Sequence, residues 1–231
     1  MTNALEVKNL SKRYGKNLAL DDVNITIEGG KIIGLLGSNG SGKTTFFKCV
    51  AGLLTHEGEI FVHGLPVGVE SKKIVSFLPE RTYLDMNMKV SEVFDFFFDF
   101  YGDFDIDRAY DLLATLGVDR NVKMKTLSKG TKEKVQLIAV MSRNARIYLL
   151  DEPIGGVDPA AREFIMHTIL TRVNEGATII ISTHLIRDIE EILDEYIFIN
   201  GNKFVSYGSA KDVHDQGKTV DEIFREVFRC F

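Results

Sequence analysis

The spacing of apolar and polar residues changes twice along this chain. In the first third, short apolar runs bounded by Gly, Pro and Asn predict strands, one helix and a small hairpin. The strands are Leu5–Val7, Val23–Ile27, Lys31–Leu36 and Lys73–Leu78, the helix is Gly42–Leu53, and the hairpin is Gly58–Gly64. Pro79 ends the fourth strand, because proline has no N–H to donate to a sheet.

Helical periodicity replaces the strand pattern between Glu80 and Arg143, where we predict Val90–Tyr101, Arg108–Leu116 and Thr131–Met141. Alternation of strand and helix then returns. The later elements are strands Ile147–Leu150 and Thr178–Ser182, helices Pro159–Val173 and Leu185–Leu193, and a hairpin at Asn200–Lys203. This order predicts an α/β fold, a parallel sheet with helices on it, interrupted by a helical insertion.

Two aromatic-rich stretches have the spacing of a helix face. One is predicted to be a buried stripe of the first inserted helix, with Phe96 and Phe100 off the stripe: Phe94, Phe97, Phe98 and Tyr101. The other lies near the end of the chain: Val220, Ile223, Phe224, Val227 and Phe228. We expect the second face to pack on its own domain, with contact to a second subunit as the alternative.

Composition narrows the function classes. The chain has 231 residues, 45% of them apolar, which suits one composite domain with a substantial core. A formal charge of −5 argues against nucleic acid as a partner, because a phosphodiester backbone needs a basic face. Two cysteines, Cys49 and Cys230, suggest a reducing compartment rather than a disulfide framework. No apolar run reaches the roughly 18 residues that membrane crossing needs, so we expect neither a membrane span nor secretion.

The clearest local pattern is G-x-x-x-x-G-K-T, placed between a predicted strand and a predicted helix. In such a loop the backbone N–H groups wrap a phosphate chain, and the helix N-terminus favours the anion. Lys43 reaches the outer phosphates and the Thr44 hydroxyl can ligate Mg²⁺. We therefore predict an ATP site formed by Gly37, Ser38, Asn39, Gly40, Ser41, Gly42, Lys43, Thr44 and Thr45.

A second pattern joins an apolar strand to two carboxylates. Ile147–Leu150 runs directly into Asp151 and Glu152. In a phosphate-binding fold the first carboxylate can hold the metal and the second can polarise water. Nucleotide kinases, GTPases and motor proteins use similar pieces, so these two patterns leave the class of NTPase open.

A third motif distinguishes these classes. Leu127-Ser128-Lys129-Gly130-Thr131 precedes an amphipathic helix that leads into the carboxylate strand. Here the chain resembles the ABC ATPase family, whose motif at this place reads LSGGQ. Other family landmarks occur in the family's order along the chain, with Tyr14 near the start and Asp158 and His184 after the acidic pair. The resemblance covers about residues 4–210.

The resemblance implies a fold and a division of the chain. The fold is a P-loop NTPase core of the RecA-like type, with an antiparallel β subdomain and an inserted α-helical subdomain. One ABC ATPase domain would span residues 1–231. Residues 1–79 and 144–231 would form the nucleotide-binding core with its β subdomain, and residues 80–143 the helical subdomain that carries the LSGGQ-like motif.

The resemblance also implies roles for single residues. Tyr14 would stack on adenine, a contact that suits its flat ring. Asp151 would hold Mg²⁺ through water, and Glu152 would act as general base or orient the attacking water. His184 would stabilise the γ-phosphate. Glu80 stands where the family usually has a glutamine near the metal, and a carboxylate can still ligate Mg²⁺.

In this family the motif loop of one subunit caps the nucleotide bound by the other. Ser128 and Gly130 would therefore complete the site of a second ATP-binding subunit, in a homodimer or a heterodimer around two Mg·ATP. Lys129 and Thr131 depart from the family pattern: Lys129 adds positive charge near the phosphate, and Thr131 leaves the ribose-side contact open.

The implied protein is a transport ATPase that works beneath a separate transmembrane permease subunit, peripheral on the cytoplasmic face of the cell membrane. With Pro79-Glu80 and with Lys129 in the motif, the chain resembles the ATP-binding subunits of short bacterial exporters of drugs, antibiotics or amphipathic peptides. Phe96 and Phe100 are candidates to line the groove that receives a coupling helix of the permease. The alternative is a soluble ABC ATPase that acts on ribosomes, DNA or chromosomes.

Overall fold

The computed structural model describes residues 3–157, 159–171 and 176–229. The strands are β1 (Asn3–Tyr14), β2 (Asn17–Glu28), β3 (Ile32–Leu36), β4 (Glu57–Val62), β5 (Leu65–Pro66), β6 (Val75–Leu78), β7 (Ile147–Asp151), β8 (Thr178–Thr183), β9 (Glu195–Asn200) and β10 (Lys203–Ser209). The helices are α1 (Lys43–Val50), α2 (Val69–Ile74), α3 (Val90–Phe100), α4 (Ile106–Thr115), α5 (Lys129–Met141), α6 (Pro159–Thr171), α7 (Ala210–Asp215) and α8 (Val220–Arg229).

The strands form an antiparallel sheet and a mainly parallel one. The first has four strands in the order β2-β1-β4-β5, and the second has six in the order β10-β9-β3-β8-β7-β6. In the larger sheet β3, β6, β7, β8 and β9 run parallel, and β10 pairs antiparallel with β9. This arrangement confirms the predicted α/β class.

The register of the larger sheet brings four loops to one edge. Leu36 pairs with Thr183, Asp151 with Ser182, and Leu78 with Leu150. Parallel strands end at the same edge, where ligands bind in open α/β sheets. The loops after β3, β6, β7 and β8 therefore meet there.

Apolar side chains cover both faces of this sheet, as is usual for parallel strands. Ile180 of β8 belongs to a core shared with α1 and the antiparallel sheet, whereas its neighbours Ile179 and Ile181 belong to the core on the opposite face. A third core lies among α3, α4 and α5, where Phe94, Leu112 and Ile138 are buried.

Several sequence-based expectations needed correction. Residues 185–193 form two 3₁₀ turns, Ile186–Asp188 and Glu190–Ile192, rather than one α-helix. Their isoleucines at 186, 189 and 192 repeat every three residues, which matches 3₁₀ geometry. The first two strands are longer than predicted, because register shifts in their pairing interrupt the alternation of side chains. The short helices α2 and α7 were not predicted.

The aromatic stripe of α3 was predicted correctly except for one residue. Phe94 and Phe97 are buried, but Phe98 is 53% exposed. Val90 and Val93 centre the buried face of the helix on the other side, so that Phe98 falls outside it. The terminal helix α8 packs on its own domain as expected: the rings of Phe224 and Phe228 lie 5.3 and 6.2 Å from that of Phe198.

Candidate functional site

The loop between β3 and α1 is held close to two neighbouring strands. A Cβ atom at Gly37 would lie 2.5 Å from the carbonyl oxygen of Ile199, and one at Gly42 would lie 2.6 Å from that of Ala19. Gly42 also has a φ of 109°, which side chains disfavour. The Ser41 N–H donates to the Ser38 carbonyl at 3.2 Å. Glycine is therefore required at both points by the close approach of the backbone.

Lys43 begins α1 and folds back over this loop. Its ammonium donates to the carbonyl oxygens of Gly37, at 2.8 Å, and of Ser38, at 3.1 Å. The same nitrogen lies 3.4 Å from a carboxylate oxygen of Glu152. Lys43 is only 6% exposed, and burial of its charge is offset by these partners.

Glu152 occupies the first position after β7 with a φ of 48°, an uncommon conformation for a residue with a side chain. Its N–H donates to the Ser182 carbonyl at 3.0 Å, which fixes the turn. The Thr183 hydroxyl donates to its carboxylate at 3.1 Å, and Nδ1 of His184 lies 3.1 Å from both carboxylate oxygens. Residues at the end of β8 thus orient the Glu152 side chain.

Asp151 lies at the end of β7 and is 1% exposed. The Ser182 hydroxyl donates to its Oδ1 at 2.5 Å. Its Oδ2 is buried without a hydrogen-bond partner among the described residues. Burial raises the pKa of Asp151, the hydroxyls of Ser182 and Thr44 oppose this rise, and the charges of Glu152 and Glu80 add to it.

Such an oxygen suits a divalent cation, because a cation supplies the charge and the contact that the protein leaves out. The described residues contain no group of three or more His, Cys, Asp or Glu side chains able to hold a metal. Mg²⁺ does not need one, since it binds through one or two carboxylates together with substrate phosphates and water. Thr44 and Asp151 therefore fit Mg²⁺, with Glu80 nearby as a further carboxylate.

These groups surround a cleft of about 500 Å³. Ten of its lining residues come from the loops at the carboxyl edge of the sheet or from the start of α1, and they include two glycines that sequence reasoning did not single out: Asn39, Gly40, Gly42, Lys43, Thr44, Thr45, Glu80, Glu152, Gly155 and Gly156. His184 and Ala19 complete the lining. Gly155 and Gly156 closely follow the acidic pair and could have been noticed in the sequence. Ala19 lies in β2, and no sequence motif marks it as a site residue.

The sequence-predicted adenine contact lies apart from this lining. Tyr14 ends β1, and its side chain is 48% exposed. The Lys12 ammonium stands over the ring, 5.4 Å from its centre. The ring is therefore accessible to a flat ligand.

Leu127–Thr131, here called the motif loop, is also outside the cleft lining. Ser128 caps α5: its hydroxyl accepts the Thr131 N–H at 3.1 Å and lies 2.8 Å from the Thr131 hydroxyl. The Lys129 side chain is 82% exposed. A Cβ atom at Gly130 would meet nothing within 4 Å. The loop presents an open helix N-terminus that does not line the chain's own cleft.

A buried glutamine connects α5 to the segment after β6. Gln136 is 3% exposed; its amide donates to the Pro79 carbonyl at 3.2 Å and accepts the Tyr83 N–H at 3.3 Å. Glu80 lies between these two anchors and reaches the cleft. Gln136 thus connects α5 to the segment that carries Glu80.

Pro79 and Tyr83 also line a second cavity of about 410 Å³, here called the apolar groove. Its other lining residues are Lys48, Ala51, Leu53, Lys72, Val75, Phe77 and Tyr101. Phe96 and Phe100, which were expected at such a groove, do not line it. Tyr101 follows the buried stripe of α3, whereas Phe96 and Phe100 project from another side of that helix.

A family model described as ABC transporter matches residues 20–155. The chain belongs to this ABC transporter family. The match includes the phosphate loop, the motif loop and the acidic pair, as the sequence-based resemblance implied. This ABC protein is an ATPase. The Asp158 landmark lies outside the described residues.

Curated relatives of this ABC protein include transport ATPases. An uncharacterized ABC transporter ATP-binding protein of Methanocaldococcus jannaschii is 34% identical over 92% of this chain and 80% of its own length. The SkfA peptide export ATP-binding protein SkfE of Bacillus subtilis is 29% identical, with 96% and 95% covered. The linearmycin resistance ATP-binding protein LnrL of the same species is 28% identical, with 90% and 70% covered.

Solved structures agree on the fold. A structure described as the ATP binding subunit of an ABC transporter superposes with a TM-score of 0.88, at 27% identity over 97% of this chain and 99% of that one. A nucleotide-free ATP-binding cassette from an ABC transporter has a TM-score of 0.76 at 21% identity, with 92% and 95% covered. The P-loop NTPase core predicted from the sequence is thereby confirmed. No helix of the described ranges is long and apolar enough to cross a bilayer.

Proposed function

We propose that two copies of this chain, or one copy and a related subunit, close around two Mg·ATP and drive export through a separate membrane permease. The observation that carries the proposal is the separation of the motif loop from its own cleft. Ser128 and Gly130 are organised as a capped helix N-terminus, the kind of group that binds phosphate. Because they do not line the cleft around Lys43 of the same chain, a second subunit would be needed to use them.

The residues of the cleft support the roles that the family resemblance implies. Lys43 would bind the outer phosphates, and Tyr14 would stack on adenine. Thr44, Asp151 and Glu80 would hold Mg²⁺, which neutralises the phosphate charge when it is bound with ATP. Glu152 would accept a proton from the attacking water, oriented by Thr183 and His184, and His184 would also face the γ-phosphate.

The proposed coupling runs through one short segment. Pro79 and Tyr83 line the apolar groove, Glu80 reaches the cleft, and Gln136 ties all three to the helix that starts at the motif loop. A short helix of the permease in this groove would thus be coupled to nucleotide-driven closure. Residues 80–143 are proposed to move as the helical subdomain against residues 1–79 and 144–231.

Export is favoured by the names of the relatives, which include peptide export and linearmycin resistance proteins. The same relatives disfavour the alternative of a soluble ABC ATPase acting on ribosomes, DNA or chromosomes. The chain would then sit on the cytoplasmic face of the membrane, bound to its permease.

The test is purification of the full chain from detergent-solubilised membranes of cells that express it. We expect an integral membrane protein to be retained in stoichiometric amount, and we expect Tyr83→Ser in the groove to release it. Val69→Ser changes a residue that is 76% exposed and outside the groove, and it serves as the matched control. Retention of ribosomes or nucleic acid, unaffected by Tyr83→Ser, would contradict the proposal.

A further inference from the structure

The end of the β1–β2 hairpin is fixed beside the cleft by an irregularity in its pairing. Lys12 pairs with Leu20, and the register then shifts, which sets Ala19 outside the pairs of the described hairpin. This bulged residue lines the cleft. Its carbonyl oxygen also lies so close to the phosphate loop that a Cβ atom at Gly42 would be 2.6 Å away. The last residues of β1, including Tyr14, are therefore held near the cleft.

The Lys12 ammonium is fixed over the Tyr14 ring by a third residue. Lys12 and Tyr14 stand two positions apart on β1, so their side chains project to the same side of the sheet. The ammonium donates to the Thr55 carbonyl at 2.5 Å and lies 3.4 Å from the Thr55 hydroxyl. Thr55 precedes β4, which pairs with β1. This contact holds the ammonium 5.4 Å from the centre of the ring.

A cation held on one face of the ring changes what the other face can bind. Attraction between the ammonium and the negative ring face restricts the orientation of Tyr14. The same charge draws π density towards the occupied face, which lowers the repulsion when a second flat π system stacks on the free face. A ring that is ordered beforehand also loses less entropy on binding. The half-exposed tyrosine thus becomes a platform with one open side.

We propose that Lys12 is a positioning residue for the adenine base of ATP. It orders the Tyr14 ring from one face, and adenine stacks on the other. The inference rests on the proposed function, in which Tyr14 contacts adenine, and adds a residue that touches only the tyrosine. Lys12 does not line the cleft, so its effect should be confined to the base. An exposed contact between a cation and a ring corresponds to about a two- to fivefold change in affinity.

Two ligands, ATP and inorganic tripolyphosphate, separate an effect on the base from an effect on the phosphates. Both are titrated by calorimetry into the full chain with Mg²⁺. Lys12→Met should weaken ATP binding by about two- to fivefold and leave tripolyphosphate binding unchanged. Lys12→Arg keeps a cation and a donor and should restore the affinity for ATP. Lys16→Met removes an equal charge from the turn after Tyr14 and should bind both ligands like the unmodified chain.

A fluorescent reporter follows the ring itself. The chain contains no tryptophan, so Tyr14→Trp places a single indole at the end of the hairpin. Without ligand, the anisotropy of its emission should fall when Lys12→Met is added, because the ring loses its restraint, and should stay unchanged with Lys16→Met. ATP should quench the emission by stacking, whereas tripolyphosphate should leave it unchanged.

Three results would overturn the proposal: unchanged ATP affinity in Lys12→Met, an equal loss of affinity for tripolyphosphate, or an equal loss in Lys16→Met. The first would leave the lysine without a role. The other two would show a general attraction between positive charge and the triphosphate.

Failure here is distinguishable from failure of the proposed function. If Tyr14→Ser weakens ATP binding and Lys12→Met does not, only the role of Lys12 is refuted. If Tyr14→Ser also leaves ATP binding unchanged, the adenine contact of the proposed function is refuted together with it.

Discussion

Lys43 and Glu152 both line the cleft at the carboxyl edge of the larger sheet and form an ion pair, with 3.4 Å between the ammonium nitrogen and a carboxylate oxygen. The pair joins the helix after β3 to the turn after β7. Both side chains are largely buried, at 6% and 11% exposure. In the proposed ATP site, an incoming phosphate chain would compete with Glu152 for Lys43 and would free the carboxylate towards water.

Replacement of Lys43 by alanine should remove nucleotide binding. The variant loses a charged donor to phosphate and leaves Glu152 without its cation, so the ATP dissociation constant should rise by about 10- to 100-fold or more. Equilibrium titration with a fluorescent ATP analogue measures this. Lys48→Ala changes a lysine in the last turn of the same helix, and its affinity should match that of the unmodified chain.

The raised pKa of the buried Asp151 predicts a specific dependence of stability on pH. Its pKa in the folded chain lies above the ordinary value of 3.8, chiefly because the group is buried. The folded state then binds more protons than the unfolded state just above that value, so the free energy of unfolding should fall as pH rises from about 4. Asp151→Asn should lack this contribution.

The measurement is the denaturation midpoint of both chains between pH 4 and pH 7, without metal. The gap should open in favour of Asp151→Asn as pH rises, and Mg·ATP should stabilise only the unmodified chain strongly. A pH-independent gap would show that burial does not penalise the carboxylate.

Lys129 provides a prediction for the motif loop. Its charge stands at the start of α5, next to Ser128 and Gly130, where the proposal places the partner's phosphates. Lys129→Gln should weaken ATP-dependent dimerisation by about two- to tenfold and reduce its sensitivity to salt. Sedimentation at two ionic strengths measures both effects, and Lys211→Gln, on α7, is the control. An equal or stronger dimer would place the ammonium away from the phosphate.

We expect replacement of Arg143 to lower the stability of the fold strongly. It is 2% exposed, pairs with Asp103 through two hydrogen bonds of 3.0 Å, and donates to the carbonyls of Val75 and Lys73. Its guanidinium also lies 3.8 Å from the centre of the Tyr101 ring. Arg143→Ala breaks a buried pair and should lower the free energy of unfolding by about 3 kcal/mol or more.

Urea denaturation gives that value directly. Arg146→Ala, an exposed arginine three residues later, should change the free energy of unfolding by less than about 0.5 kcal/mol. A similar loss in both variants would show that the buried contacts of Arg143 contribute no more to the free energy of unfolding than the contacts of an exposed arginine.

Much of the site was predictable because its motifs are local in sequence. The phosphate loop, Asp151 and Glu152 follow from short patterns that end buried strands, and the sheet register brings those strand ends together. The contact between His184 and Glu152 was not predictable in its geometry. It depends on Asp151 pairing with Ser182 across β7 and β8, which no local pattern specifies.

Contacts between distant segments were the main omission. Gln136 holds Pro79 and Tyr83 from more than 50 positions away, so the apolar groove had no sequence signature. Helix periodicity also misplaced Phe98, because the five phenylalanines of α3 can be grouped on more than one face of the helix. The Ile186 to Ile192 segment shows the same limit, since repeats of three and of 3.6 differ little over so short a length.

The central claim is that the motif loop of one subunit completes the nucleotide site of another. Glu152→Gln tests it most directly, since the variant keeps the cleft, loses the base and should reduce turnover at least about 100-fold. Sedimentation velocity of this variant with Mg²⁺ and ATP should show a species of twice the mass of a single chain, and ADP should leave it monomeric. A species that stays monomeric while ATP saturates the cleft would contradict the account.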